Sequence, residues 1–219
     1  MQSRGDDMEL TEKALAFVKD FFEKDYSGHD YFHTLRVWKL ATHIAEKEQA
    51  DLRIVQLAAL LHDVDDRKLS PETCATKANA RHFLAENQVD ADTIDRICRI
   101  IGEVSYAGKD SVIPESIEGK CVQDADRLDA IGAIGIARAF AYGGSHNRFL
   151  HHPGIRPKPD MTKEEYERSN STTINHFYEK LLLLKDLMNT STAKEIAAAR
   201  DRYMREFIDE FLAEWEGVM

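Results

Sequence analysis

The stretch LAALLHDVDD, residues 57–66, contributes more to the fold prediction than any other part of the chain. Its apolar positions recur at intervals of three and four, which is typical of an α-helix with a buried face. His62 follows Val55 by seven residues and Ala58 by four, so it lies on the same inward face, with Asp63 about 100° further round. The stretch therefore predicts a buried helix that ends in a histidine and a carboxylate.

A second inward histidine lies upstream. His33 precedes Val37, Ala41 and Ile44 by four, eight and eleven positions, which places it on the apolar stripe of another helix. An imidazole that points at the core needs a polar partner.

An unusual density of acids lies downstream, in VQDADRLDAIG, residues 122–132. Asp124, Asp126 and Asp129 alternate there with residues suited to burial. A buried carboxylate is costly unless it is paired, protonated or bound to a metal. The spacing alone does not choose which of the three acids is a ligand.

Two imidazoles and two carboxylates on separate helices form a mixed nitrogen and oxygen site. Such a site suits one divalent transition metal (Mn, Fe, Co, Ni or Zn, with Mg as a further option) better than Ca²⁺, and facing helices often present such ligands. Either histidine alone would more readily be a satisfied core residue. The combination favours a metal site.

These segments resemble the H…HD…D signature of the HD superfamily of metal-dependent phosphohydrolases. The resemblance covers roughly Leu10 to Tyr142 and rests on three motifs: GHDYFHTLRV, LAALLHDVDD and VQDADRLDAIG. It implies an all-α helical bundle. It also implies four metal ligands, His33, His62, Asp63 and Asp126, with Asp129 supporting them from one helical turn further on.

The resemblance also implies a mechanism, in which a bound divalent ion lowers the pKa of a water towards about 7 and the water attacks a phosphate ester or anhydride. Asp63 and Asp66 are then the catalytic acids, Asp66 as the general acid or base. A solvated acid in a turn is an equally good interpretation of Asp66. The segment IIGEVSYAG, residues 100–108, lacks the extra histidines of two-metal subfamilies, which argues against a second ion.

Basic residues near these motifs are candidates for binding substrate phosphate. Arg67 and Lys68 end the turn that follows His62 and Asp63, which we call the HD pair. Residues 143–160 are locally basic in a chain of net charge -10. We predict that this segment is a lid over the site, with a disordered connector as the alternative. The predicted substrate contacts are His29, Arg67, Lys68, Arg148 and His151.

Length and composition limit the class of protein. The 219 residues favour a single domain, 1–219, with a motif-bearing core at about 10–142, a loop at 143–160 and C-terminal helices at about 163–217. The acidic balance argues against a DNA or RNA partner. The absence of a long apolar run or a signal peptide predicts a cytoplasmic protein without a membrane partner.

Helical periodicity runs through nearly the whole chain, and no strand is predicted. Ser70 and Pro71 are expected to start the fourth helix, and Thr192 is expected to start the last one as part of a capping box. The last helix carries Ile208, Leu212 and Trp215 at helical spacing, so it packs internally or in a homodimer. The predicted helices are Leu10 to Lys24, Asp30 to Gln49, Asp51 to His62, one from Ser70, Asp90 to Ile101, Ile117 to Ala141, Thr172 to Met188 and one from Thr192.

The leading functional prediction is a hydrolase of a nucleotide, such as a nucleoside or deoxynucleoside triphosphate, or of another small phosphorylated metabolite. One alternative is a cyclic-nucleotide or dinucleotide phosphodiesterase, which usually favours two metals. Another is a metal-bound or nucleotide-bound regulatory protein without turnover, and a last one is a plain helical interaction module.

Overall fold

The computed structural model describes residues 2–23, 30–67, 69–104, 112–158, 161 and 171–218, with side chains from residue 7 onward. Within those ranges the chain forms helices and turns and no strand, which confirms the all-α prediction. A short 3₁₀ helix, Leu181–Leu187, lies between the last two α-helices. The α-helices are α1 (Gln2–Phe21), α2 (Tyr31–Glu48), α3 (Leu52–Leu61), α4 (Ala78–Glu86), α5 (Ala91–Val104), α6 (Ile117–Asp129), α7 (Gly132–Ser145), α8 (Thr173–Glu179) and α9 (Ser191–Trp215).

The described residues fall into two compact units. Unit 1 contains the described residues up to 104 together with 112–126, and unit 2 contains those from 127 to 218. Helix α6 contributes residues to both units. The prediction of one domain over 1–219 stays a prediction.

Helix α3 is the centre of unit 1, where it packs against α1, α2 and α5. Its Leu57, Leu60 and Leu61 are almost completely buried, and burial of each such side chain stabilises the fold by about 1.5 to 3 kcal/mol. The helix starts where Asp51 accepts hydrogen bonds from the backbone N–H groups of the first turn. It ends at Leu61 with His62 as its C-cap, so the packing of α3 fixes where His62 and Asp63 lie.

Helix α2 has well-defined ends as well. The Asp30 carboxylate caps its start by accepting a bond from the His33 backbone N–H at 2.7 Å. Gln49 ends it in the left-handed conformation, with φ 58°. The predicted bounds of this helix are confirmed. The predicted start of the fifth helix at Asp90 is confirmed as well, since the Asp90 Oδ1 caps that helix by accepting a hydrogen bond from the Thr93 N–H at 2.9 Å.

The prediction of one helix from Ile117 to Ala141 is wrong. The chain leaves the helix after Asp129, and α7 begins afresh at Gly132, whose φ of +77° favours glycine. At Gly135 an added Cβ would lie 2.2 Å from the Ala130 carbonyl oxygen, so this position also requires glycine.

Other predicted helix boundaries were also wrong. The segment after Ser70 and Pro71 forms turns, and the fourth helix begins only at Ala78. The last helix is capped by Thr190, whose hydroxyl accepts the Ala193 N–H, rather than by Thr192. The predicted helix from Thr172 to Met188 is divided into α8 and the 3₁₀ helix.

In unit 2 an aromatic cluster joins α7, α8 and α9: Phe140, Phe177, Phe207, Phe211 and Trp215. Of the predicted inward stripe on the last helix, Ile208 is buried whereas Trp215 is 45% exposed. The homodimer stays a prediction. No helix in the described part of the chain is long and apolar enough to cross a membrane.

The segment after α7 is fastened to α8 within unit 2. The backbone N–H groups of Thr173 and Ile174 donate to the carbonyl oxygens of Phe149 and Leu150, each at 2.9 Å. The Asn175 side chain donates to the Ile155 carbonyl oxygen, also at 2.9 Å. Residues 146–158 therefore have a defined path beside α8, and residues 159 and 160 lie outside the described ranges.

His176 of α8 gives unit 2 a pH-dependent stability. Burial, together with the smaller effect of the positive charges of Lys180 and Arg148, lowers the pKa of this imidazole to about 3. The unfolded chain, with an ordinary histidine pKa of about 6.5, therefore takes up the proton first as the pH falls. The stability that depends on a neutral His176 is present above about pH 6.5 and is lost between about pH 6.5 and 3.

We therefore expect His176→Gln to flatten the pH dependence of stability. From pH 7 to pH 5 the wild type should lose on the order of 1 kcal/mol more than the variant, measured by urea unfolding at each pH. The matched control is His43→Gln, which replaces an exposed histidine, and its stability should have the same pH dependence as that of the wild type. Equal slopes for the wild type and His176→Gln would contradict this account.

Candidate metal centre

Three helices of unit 1 bring the four predicted ligands together. Helix α2 carries His33, the end of α3 carries His62, the following turn carries Asp63, and α6 carries Asp126. His33, His62 and Asp63 are buried, at 1%, 7% and 7% exposure. The Asp126 side chain is 26% exposed, so the cluster is open to solvent on the side of that carboxylate.

The four donor atoms face one another across short distances. His33 Nε2 lies 3.4 Å from Asp63 Oδ2 and 3.5 Å from Asp126 Oδ1. His62 Nε2 lies 3.2 Å from Asp63 Oδ2 and 3.9 Å from Asp126 Oδ1. The two imidazole rings lie edge to face, with centroids 5.3 Å apart.

The hydrogen bonding of His62 determines which nitrogen can bind a metal. Its Nδ1 lies 2.8 Å from the Ala59 carbonyl oxygen, which can only accept, so Nδ1 carries the hydrogen. In the neutral ring the lone pair is then on Nε2. This atom is buried and makes no well-aligned hydrogen bond, although Asp63 Oδ2 lies 3.2 Å away. A backbone carbonyl bound to the far nitrogen is typical of histidines that ligate metals.

The donor set fits a divalent transition metal. Ligand atoms about 2.1 Å from one ion lie roughly 3.0 to 3.4 Å apart, close to the separations seen here. His33, His62 and Asp63 form the compact part of the cluster, and Asp126 Oδ1 completes it from α6. Two nitrogen and two carboxylate ligands favour Mn, Fe, Co, Ni or Zn over Ca²⁺.

The electrostatics of the cluster favour positive charge. Burial lowers the pKa of His62, but the carboxylates of Asp63 and Asp126 and the Ala59 carbonyl outweigh it and raise the pKa to about 9. The two acids therefore attract a cation, either a proton or a metal ion.

The turn after the HD pair holds Asp65 and Asp66. Asp66 is half-buried, and its backbone N–H donates to the Asp63 carbonyl oxygen at 3.0 Å, so it lies one turn from a predicted ligand. The Asp65 carboxylate is 1% exposed and caps the start of α4. Its partners, Asn79 and Ala80 of α4, were missed, because no sequence pattern pairs residues that are 14 and 15 positions apart.

The other two acids of the third motif, Asp124 and Asp129, have surroundings that differ from those of Asp126. Asp129 is buried and its Oδ2 accepts a hydrogen bond from Arg138 at 2.7 Å, within unit 2. Asp124 is fully buried. The supporting role of Asp129 at the metal centre stays a prediction.

The predicted substrate contacts are distributed over both units. Arg67 is exposed in unit 1, whereas His29 and Lys68 lie outside the described residues. In unit 2 the Arg148 guanidinium lies 5.3 Å from the centre of the Tyr142 ring. His151 meets the Trp215 ring edge to face at 5.0 Å. Their contacts with substrate stay predictions.

Known proteins are similar to this chain both in sequence and in fold. The HD domain family matches residues 30–131. The YpgQ protein of Bacillus subtilis is 38% identical over 97% of each chain. Its crystal structure in complex with ADP is similar to this one with a TM-score of 0.77 and 37% identity, covering 95% of this chain and 96% of that one. An HD-superfamily hydrolase from Bacillus thuringiensis reaches a TM-score of 0.78 and 44% identity, covering 96% and 98%.

We expect divalent transition metals to stabilise the protein through these four ligands. An ion at 100 times its dissociation constant adds about 2.7 kcal/mol to the free energy of unfolding. Mn²⁺ or Co²⁺ should therefore raise the melting temperature of the metal-free wild type, and Asp126→Ala should lose most of that rise. The matched control is Asp92→Ala, an exposed acid of α5. An unchanged rise in Asp126→Ala would exclude Asp126 as a ligand.

Proposed function

The chain belongs to the HD superfamily of phosphohydrolases, and on this premise we propose that it hydrolyses a nucleotide, with nucleoside and deoxynucleoside triphosphates as the first candidates. The reaction needs one divalent transition metal, held by His33, His62, Asp63 and Asp126. The observation that carries the proposal is the cluster of two buried imidazoles and two carboxylates on three helices. Mn, Fe, Co, Ni and Zn are the expected metals, and Mg²⁺ is a further candidate.

The nucleotide substrate is supported by likeness to YpgQ. That protein has been crystallised with ADP, and the similarity covers 95% of this chain. A nucleoside polyphosphate carries clustered negative charge, which complements a bound cation and the exposed Arg67, four residues after Asp63. A cyclic-nucleotide or dinucleotide phosphodiesterase is the alternative, but the part of the chain that the structure describes holds one such cluster rather than two.

The residues of the site would have different roles in hydrolysis. When bound, the metal polarises a phosphoryl oxygen and lowers the pKa of a water towards about 7. The Ala59 carbonyl oxygen orients the His62 ring so that Nε2 points at the site. Buried Asp63 would join the two histidines in holding the ion, while the partly exposed Asp126 would hold it from the side that is open to solvent.

We assign proton transfer to Asp66. Asp66 follows Asp63 by one turn, with a backbone hydrogen bond to it, and is not among the four proposed ligands. Its carboxylate would then take a proton from the attacking water or give one to the leaving group. A cytoplasmic location and a homodimer remain further predictions.

The substrate class is tested by a panel of nucleoside mono-, di- and triphosphates, deoxynucleotides and cyclic nucleotides with Mn²⁺, Co²⁺, Ni²⁺ and Mg²⁺. Release of phosphate is measured separately from release of pyrophosphate, because the two products identify the bond that is cut. We expect metal-dependent turnover of a triphosphate. Metal binding without turnover of any panel member would support the regulatory alternative, and cleavage of cyclic substrates alone would support the phosphodiesterase.

Asp66→Asn tests the proton transfer. General acid-base catalysis contributes about 10² to 10⁴-fold, so kcat should fall by about 10²-fold or more, while metal content and melting temperature stay at the wild-type values. Glu72→Gln, at an exposed acid six positions further on, is the matched control and should keep full activity. Unchanged kcat in Asp66→Asn would remove this residue from the mechanism.

A further inference from the structure

Asp65 is an acid with 1% exposure that lies beside the metal ligands without being one of them. Its Oδ1 accepts the backbone N–H of Asn79 at 3.1 Å, and its Oδ2 accepts the backbone N–H of Ala80 at 3.0 Å. Both donors are in the first turn of α4. The carboxylate therefore joins the turn after the HD pair to a helix that begins 13 residues later in the chain.

The start of α4 requires a cap from outside the helix. The residue at its N-cap position, Lys77, is in the left-handed conformation with φ 56° and supplies no side-chain hydrogen bond to the first turn. The first N–H groups of a helix have no partner within the helix, and negative charge is favourable beside them. Asp65 meets both needs at once, which explains how a carboxylate is tolerated with almost no exposure to water.

A second tie joins the same two segments. The Asn79 side-chain nitrogen donates to the Val64 carbonyl oxygen at 2.9 Å and to the Thr73 hydroxyl at 3.1 Å. Val64 and Asp65, which directly follow Asp63, are thus both bound to Asn79. Three hydrogen bonds to α4 fix these two residues: Asn79 N to Asp65, Ala80 N to Asp65 and Asn79 Nδ2 to Val64.

We infer that Asp65 is a positioning residue of the metal centre, which fixes the turn that carries Asp63 and Asp66 by binding it to the start of α4. The inference rests on the proposed function, since it assumes that the cluster binds a metal. Ligands must be held closely in place for tight binding, and loss of the groups that orient them typically weakens metal affinity about 10- to 100-fold. Without Asp65 the turn loses its anchor while the ligands themselves remain.

The test compares Asp65→Ala with Asp90→Ala, using Co²⁺ as the probe. Asp90 also caps a helix of unit 1, where its Oδ1 accepts the Thr93 N–H at 2.9 Å, but it is exposed and α5 carries none of the ligands. Each variant loses one helix cap. We expect the Co²⁺ affinity of Asp65→Ala to fall by at least about tenfold, with an altered Co²⁺ absorption spectrum, whereas Asp90→Ala keeps the affinity and spectrum of the wild type.

If Asp65→Ala does not fold, two further variants test whether Asp65 positions the metal centre. Asp65→Asn keeps an oxygen for one of the two N–H donors, so its Co²⁺ affinity should lie between those of the wild type and Asp65→Ala. Asn79→Ala keeps the Asp65 cap but removes the side-chain bond to Val64, and it should weaken Co²⁺ binding several-fold. Wild-type affinity and spectrum in both of these folded variants would overturn the inference.

The outcomes separate this inference from the proposed function. Wild-type Co²⁺ affinity and spectrum in a folded Asp65→Ala variant would show that the cap is merely structural and overturn the inference. If the wild type binds Co²⁺ but hydrolyses no nucleotide, the proposed function fails while weakened binding in Asp65→Ala still supports the positioning role. If the wild type binds no Co²⁺, Mn²⁺ or Zn²⁺, both fail together.

Discussion

Unit 1 depends on the burial of two imidazoles beside two carboxylates. His33 and His62 are withdrawn almost completely from water, and Asp63 Oδ2 lies within 3.4 Å of both ring nitrogens. Ionised carboxylates in such a place are costly without a cation, so the cluster is stable only when a proton or a metal ion balances its charge. Helix α3 brings His62 to this position because the apolar side chains of the helix are buried, which fixes the orientation of the helix and of the histidine at its end.

The two histidines of the cluster could be selected from the sequence because helical periodicity places them on inward faces. His62 and His33 share the apolar stripes of their helices, and both are buried as that pattern requires. The choice of Asp126 among three acids came only from family resemblance, since spacing allows any of them. In the structure its Oδ1 lies 3.5 Å from His33 Nε2. The sequence motifs were thus enough for the family and for the all-α fold.

Other features could not be read from local patterns. The break between α6 and α7 depends on Gly132, which has the left-handed conformation. A single glycine within a helical pattern is not enough to predict that the helix ends there. The cap of α4 comes from Asp65 rather than from the residues just before the helix. The helix start predicted from Ser70 and Pro71 was therefore wrong. In each case a partner distant in sequence or a backbone conformation outweighs the local propensity.

We propose that one divalent metal is held by His33, His62, Asp63 and Asp126. Anomalous diffraction from crystals grown with Mn²⁺ or Zn²⁺, collected on either side of the metal edge, tests it most directly. We expect one strong anomalous peak in unit 1, about 2.0 to 2.2 Å from a nitrogen of each histidine and an oxygen of each aspartate. Crystals with no peak among these four side chains, or with the ion bound elsewhere in the chain, would contradict it.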